Sequence, residues 1–270
     1  MSAPTVDDLT HEWQEWRRGR EASLSDPHGF LAVTSLNWLT EEPQRFPDAP
    51  GEWSTGPEGP TVVLGPDEKI LVDGVTRIGR HAFGVIPERD GIDVVWGEAV
   101  IEVARRGGFD IVRPRHPDSA RLQAYTSTPA YEPQPRWVLE ARYRPFDQPR
   151  PVKVDAAVEG LEHIYQAPGE LSFEIDGQPL TLTAFEGRTP GSLLVLFTDA
   201  TSGVTTYAAN RSLPVPVPDE DGHVVLDFNR AANLPCAYTP LATCPLPPPE
   251  NRLPVAVEAG EKTPHQNNEI

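Results

Sequence analysis

The chain has 270 residues, 38% of them hydrophobic and 23% charged, with a formal net charge of −17. That length allows one large domain or two small ones, with a core that needs no disulfide or metal staple. The acidic balance argues against a nucleic-acid backbone or an anionic membrane as partner, because both select clustered Lys and Arg.

The opening residues lack the basic start and apolar run of a secretory signal, and no stretch approaches the ~20 apolar residues of a membrane span. A cytoplasmic location is therefore expected, where cysteines are thiols by default. Thr5, with Asp8 three residues on, predicts the cap of a first helix. Val6, Leu9, Trp13 and Trp16 recur at helical spacing and predict a face that docks on the main body. "RRGR" at 17–20 places cations near the expected helix C-terminus, where the dipole favours them. Phe30, Leu31, Val33, Leu36, Trp38 and Leu39 then form an apolar group in a short connection, helical or extended.

From about residue 60 the texture turns to short β-rich runs punctuated by Gly and Pro. The stretch from Gly91 to Arg115 reads as two or three strands with a turn at Gly107-Gly108. "RWVLEARYRPF" alternates, with Trp137, Leu139, Ala141 and Tyr143 on one face and Arg136, Glu140, Arg142 and Arg144 on the other. "LSFEIDGQPLTLTAFEG" predicts a hairpin turning at Asp176-Gly177. Further strands follow in "GSLLVLF", "TTYAANRSL" and "GHVVLDFN", and "LPVAVEAGE" is expected to close the sheet. The fold class expected is mostly β, an antiparallel sandwich or partly closed barrel with an N-terminal helix. Residues 1–55 read as a helical lead-in packed on a β-domain of residues 56–262, and residues 263–270 as a tail.

Phosphate-binding loops, nucleophile elbows and zinc-protease motifs are all missing, so no cofactor is expected. The polar residues of interest gather near the C-terminus. Asp199 follows a buried strand, and Tyr207, Asn210 and Arg211 flank the next one. Leu226 and Phe228 should face one way on a strand, Asp227 and Asn229 the other. The loop "LPCAYTPLATCPLPPP" carries both cysteines, and its prolines predict an ordered rather than flexible segment. Cys236 and Cys244 are separated by seven residues, a spacing open to packed thiols, a small disulfide loop, or a metal or redox role. Glu250, Asn251 and Arg252 precede the last expected strand, and Glu258, Glu261 and Lys262 end it. Pairs such as Asp227 with Arg252, or Glu258 with Arg230, would be plainly structural.

"LDFNRAANLPCAYTPLATCPLPPPENRLPVAVEAGEK" resembles the C-terminal signature of the prokaryotic domain-of-unknown-function family 1684. "FTDATSGVTTYAANRSL" resembles that family's preceding strand pair, and the Trp- and Arg-bearing first helix with "GFLAVTSLNWL" resembles its opening. The middle of the chain fits less well. The resemblance brings no activity and no catalytic residues with it.

Two functions remain. The first is an enzyme of hydrolase or lyase type acting on a small polar or anionic molecule, in a pocket walled by the cysteine- and proline-rich loop. Asp227 or Glu258 would be its general acid or base. Asp199, Tyr207, Arg211, Asn229, Arg230, Asn251, Arg252, Glu261 and Lys262 would hold the ligand. The alternative is a non-catalytic binding or structural module in which the same groups lock the loop. A third, weaker reading is a metal site using Cys236, Cys244 and a histidine.

Overall fold

The computed structural model describes residues 6–264. The expected cap at Thr5 and residues 265–270 of the expected tail lie outside them. The protein is mostly β: its strands form three antiparallel sheets, and among the described residues none closes into a barrel. By its internal contacts the chain divides into two compact units, Ala22–Thr126 and the combination of Met1–Glu21 with Ser127–Ile270. The first helix, α1 (Val6–Leu24), runs a turn beyond "RRGR", so those arginines sit in its body rather than at its C-terminus.

The unit of residues 22–126 is a sandwich. Its strands are β1 (Asn37–Trp38), β2 (Gln44–Phe46), β3 (Ala49–Ser54), β4 (Thr61–Val63), β5 (Ile70–Val72), β6 (Val75–Arg77), β7 (Arg80–Ala82), β8 (Gly91–Trp96), β9 (Ala99–Arg106) and β10 (Phe109–Arg115). One sheet runs β1-β10-β9-β8-β5-β6 and the other β2-β3-β4-β7. Trp53 and Val62 from the smaller sheet share one core with Ile70, Val94, Ile101, Val103 and Val112 from the larger. The apolar group at residues 30–39 resolves into a single 3-10 turn, Phe30–Ala32, followed by β1. The β9–β10 hairpin turns at Gly107-Gly108 as expected, with Arg106 opposite Phe109.

The other unit holds β11 (Val138–Asp155), β12 (Glu162–Ile175), β13 (Gln178–Glu186), β14 (Leu193–Phe197), β15 (Arg211–Val215), β16 (His223–Asp227) and β17 (Ala232–Asn233). They form one sheet in the order β16-β11-β12-β13-β14-β15-β17. Trp137 and Ala141 are buried and Leu139 and Tyr143 pack on the same core, as the alternation predicts. The β12–β13 hairpin turns at Asp176 and Gly177, both at positive φ (50° and 78°), the backbone a two-residue primed turn demands.

"LPVAVEAGE" does not become a closing strand. Pro254 offers no amide for a ladder, and the segment lies extended across the end of β14, where Leu253 N–H donates to Thr198 O at 2.8 Å and Ala200 N–H to Val255 O at 3.0 Å. The short β17 takes the sheet edge beside β15 instead. Leu253, Val257 and Ala259 still enter the core shared by Leu171, Phe197, Leu226 and Phe228. Alternation along "LDFN" stops at Asp227, where β16 gives way to a 3-10 turn, so Asn229 is buried along with Phe228.

Candidate functional site at the C-terminal signature

Two buried carboxylates organise the C-terminal segment. Glu261 has no solvent-exposed side-chain surface. Its Oε1 accepts from Arg17 Nη1 and Arg20 Nε, both at 3.0 Å. Its Oε2 accepts from the Asn233 amide at 2.7 Å, the Tyr238 hydroxyl at 3.2 Å and Arg20 Nη2 at 3.3 Å. Arg17 also donates to Thr128 O and pairs with Glu21, while Arg20 Nη2 donates to Asn233 O at 2.8 Å. One carboxylate thus ties α1 to β17 and to the cysteine-bearing loop. Burial works against the Arg20 charge, but Glu261 outweighs it and leaves that guanidinium above its ordinary value. Burial first, then the charge on Glu261, pushes Tyr238 up to about 12, so its hydroxyl is a fixed donor.

Gly260 sets up this placement. It sits at φ +73°, and a Cβ there would press into the Ala231 carbonyl oxygen. The close approach lets Glu261 N–H donate to Ala231 O at 2.8 Å.

The second carboxylate is Asp199, which forms a wholly buried ion pair with Arg211 at 3.2 Å. Asp199 Oδ2 also accepts the Val257 amide at 2.6 Å, and Oδ1 accepts the Thr201 and Ser202 hydroxyls at 2.8 and 3.1 Å. Arg211 donates to the carbonyls of Val257 (3.1 Å) and Ala259, and lies 5.1 Å from the Phe197 ring centroid. Burial pulls the Arg211 guanidinium below its ordinary value and Asp199 opposes that pull. Together these groups bond the amide and carbonyl of Val257 and the carbonyl of Ala259.

The remaining predicted residues are scattered. Asp227 accepts from the Asn229 amide (3.1 Å) and Nδ2 (2.9 Å) and pairs with Arg230 at 3.0 Å. That replaces the pairings of Asp227 with Arg252 and of Glu258 with Arg230. Asn229 also bonds the backbone of Gln134 through both ends of its amide, at 2.9 and 3.1 Å, and its carbonyl accepts the Trp13 indole at 3.0 Å. Asn251 is fully buried and bridges β13 to β14, accepting from Thr183 N–H at 2.7 Å and donating to the Thr183 and Leu196 carbonyls at 2.8 Å. Glu258 and Arg252 are exposed. The Lys262 ammonium lies 4.3 Å from the Tyr131 ring centroid.

Cys236 and Cys244 are buried thiols side by side, the Cys236 amide donating to Cys244 Sγ at 3.3 Å. The Cys244 side chain, with help from Tyr207, holds the Cys236 thiol below its ordinary value against the effect of burial. Burial, then Cys236, pushes Tyr207 up to about 12, and its hydroxyl donates to Cys236 O at 2.9 Å. Among the described residues no group of three or more His, Cys, Asp and Glu side chains converges as metal ligands. No helix there is long and apolar enough to cross a membrane.

Sequence reasoning overlooked Arg17, Arg20, Thr128, Asn233 and Tyr238. A signal existed for two of them. Arg17 and Arg20 fall four and seven residues after Trp13, on the stripe that also carries Trp16, so they point inward with the tryptophans.

The family model of proteins of unknown function DUF1684 matches residues 123–262, just over half of the chain. The chain belongs to the DUF1684 family. The match takes in β11 to β17, both buried carboxylates and the cysteine-bearing loop. An uncharacterised protein of Haloarcula marismortui, solved by NMR in solution, is similar at 33% identity with a TM-score of 0.44, over 52% of this DUF1684 chain and 78% of its own. No curated protein matches.

Proposed function

We propose that this DUF1684 protein is a non-catalytic binding or structural module, and that its C-terminal signature is a polar lock holding α1 and the chain end against the seven-stranded sheet. The observation that carries this reading is Glu261: a fully buried carboxylate whose two oxygens already accept from Arg17, Arg20, Asn233 and Tyr238. Asp199 and Asn251 support it in the same way, since each bonds mainly to backbone or to a buried partner. A hydrolase or lyase at this loop would instead rest on Asp227, whose side chain keeps 18% exposure but is engaged by Asn229 and Arg230.

Thermal unfolding of Asp199→Asn beside Glu258→Gln tests the lock. The buried substitution should lower the melting temperature by several degrees, because Arg211 is left as an unpaired buried charge. The exposed one should leave it unchanged. An Asp199→Asn protein as stable as its parent, or more so, would favour a functional site there, since such sites commonly sacrifice stability.

A further inference from the structure

Residues 22–126 contain a cleft of about 150 Å³ that belongs to none of the groups above. Its polar lining residues are Thr34, Asp48, His116, Asp118 and Ser119, and Trp96 is also among the residues that line it. The chain path explains the convergence. The segment after the 3-10 turn runs beside the end of β10, with Thr34 N–H donating to Pro114 O and His116 N–H to Ala32 O, both at 2.9 Å. Asp48, in the β2–β3 turn, reaches the same place and accepts the Thr34 hydroxyl through Oδ2. No other hydrogen bond to its carboxylate occurs among the described residues. His116 Nδ1 accepts the Asp118 amide at 3.1 Å, so the neutral ring carries its proton on Nε2. Buried Ser119 is held by its bond to Leu31 O at 3.0 Å.

The charge balance of this lining is one-sided. It contains two carboxylates and no lysine or arginine. Arg115 lies between the lining residues Pro114 and His116, but its guanidinium is engaged elsewhere, 2.5 Å from Glu102 Oε2. We propose that the cleft binds a small organic cation of the alkylammonium class. Asp48 and Asp118 supply counter-charge and the half-buried Trp96 supplies an aromatic surface of the kind that attracts ammonium groups. A void of this volume takes roughly six or seven non-hydrogen atoms. Among the described residues no three His, Cys, Asp or Glu side chains converge as metal ligands, and Trp96, Ala99 and Pro114 make part of this lining apolar, which suits an organic cation better than a bare metal ion. The proposal does not rest on the reading of the C-terminal signature, which lies in the other unit.

The test is titration of choline chloride into the intact protein, followed by calorimetry and by the Trp96 indole resonance, assigned with Trp96→Phe. Saturable binding is expected, with the Trp96 resonance moving. The uncharged isostere 3,3-dimethyl-1-butanol should bind at least about tenfold more weakly. Asp48→Asn should weaken choline by about tenfold, and the exposed Asp118→Asn by about threefold. Asp48 also holds the Thr34 hydroxyl, so the isostere comparison on the unaltered protein decides the matter if that variant unfolds. Absence of saturable choline binding, equal binding of the isostere, or binding of glucose in place of choline would overturn the proposal.

Discussion

Replacing Glu261 with Gln changes little in shape and removes one buried charge from between two arginines. No orientation of the new amide restores the lost contacts. If its oxygen replaces Oε2 and keeps the Asn233 amide and Tyr238 hydroxyl, its NH2 group is thrust at the guanidiniums of Arg17 and Arg20. If it is reversed, the Asn233 N–H is buried facing a donor. Removing one member of a buried ion pair costs about 3–5 kcal/mol. Arg17 and Arg20 keep 14% and 18% of their side-chain surface exposed and can recover some hydration, so the lower end applies. About 3 kcal/mol, at ~2–4 °C per kcal/mol for a unit of this size, lowers the melting temperature by about 6–12 °C. Circular dichroism melts of parent and variant, with Arg20→Met and the double variant completing a cycle, measure both the loss and the coupling. A shift under about 2 °C, or additive single effects, would refute the argument that Glu261 is the centre of a lock.

Three further outcomes follow from the same physics. Gly260→Ala should destabilise by more than about 1 kcal/mol and loosen α1, seen as faster proteolysis near the N-terminus, because φ +73° and the Ala231 carbonyl leave no room for a methyl group. In the unit of residues 22–126, burial alone would raise the Glu102 carboxyl, but Arg113, Arg115 and Arg106 outweigh it and hold it below the usual carboxylate range. A depressed folded-state value gives stability that is present above the unfolded value and lost as pH falls through the folded one; Glu102→Gln should therefore flatten the acid side of that unit's stability profile below about pH 4. Cys236 and Cys244 should resist an alkylating reagent in the native protein and both be labelled after unfolding, by mass spectrometry; a mass two hydrogens lower with no labelling would mean that they are oxidised.

The strand framework was legible because alternation is a local signal. Trp137, Leu139, Ala141 and Tyr143 declared their face, and Asp176-Gly177 declared its turn. "LPVAVEAGE" misled for the same reason: it alternates like a strand, yet Pro254 interrupts any ladder and the side chains of Asp199 and Arg211 bond its later backbone groups. The partners of Glu261 were hidden by separation, since Arg17 lies 244 residues away and no spacing rule reaches that far. Even so, the inward stripe of Trp13, Trp16, Arg17 and Arg20 was readable. The cleft lined by Thr34, Asp48, Trp96 and His116 draws on four separate segments, and no short motif marks such a site.

The contact between α1 and Glu261 also bears on how the protein is made. Residues 22–126 form one continuous stretch, whereas the other unit joins segments on either side of it. Arg17 and Arg20 emerge early and must wait for Glu261, about 240 residues later, before their charges find their native partner. Such long-range closure is slow. Nascent chains stalled before Gly260 should therefore leave α1 open to proteases and chaperones until the signature residues around Glu261 appear.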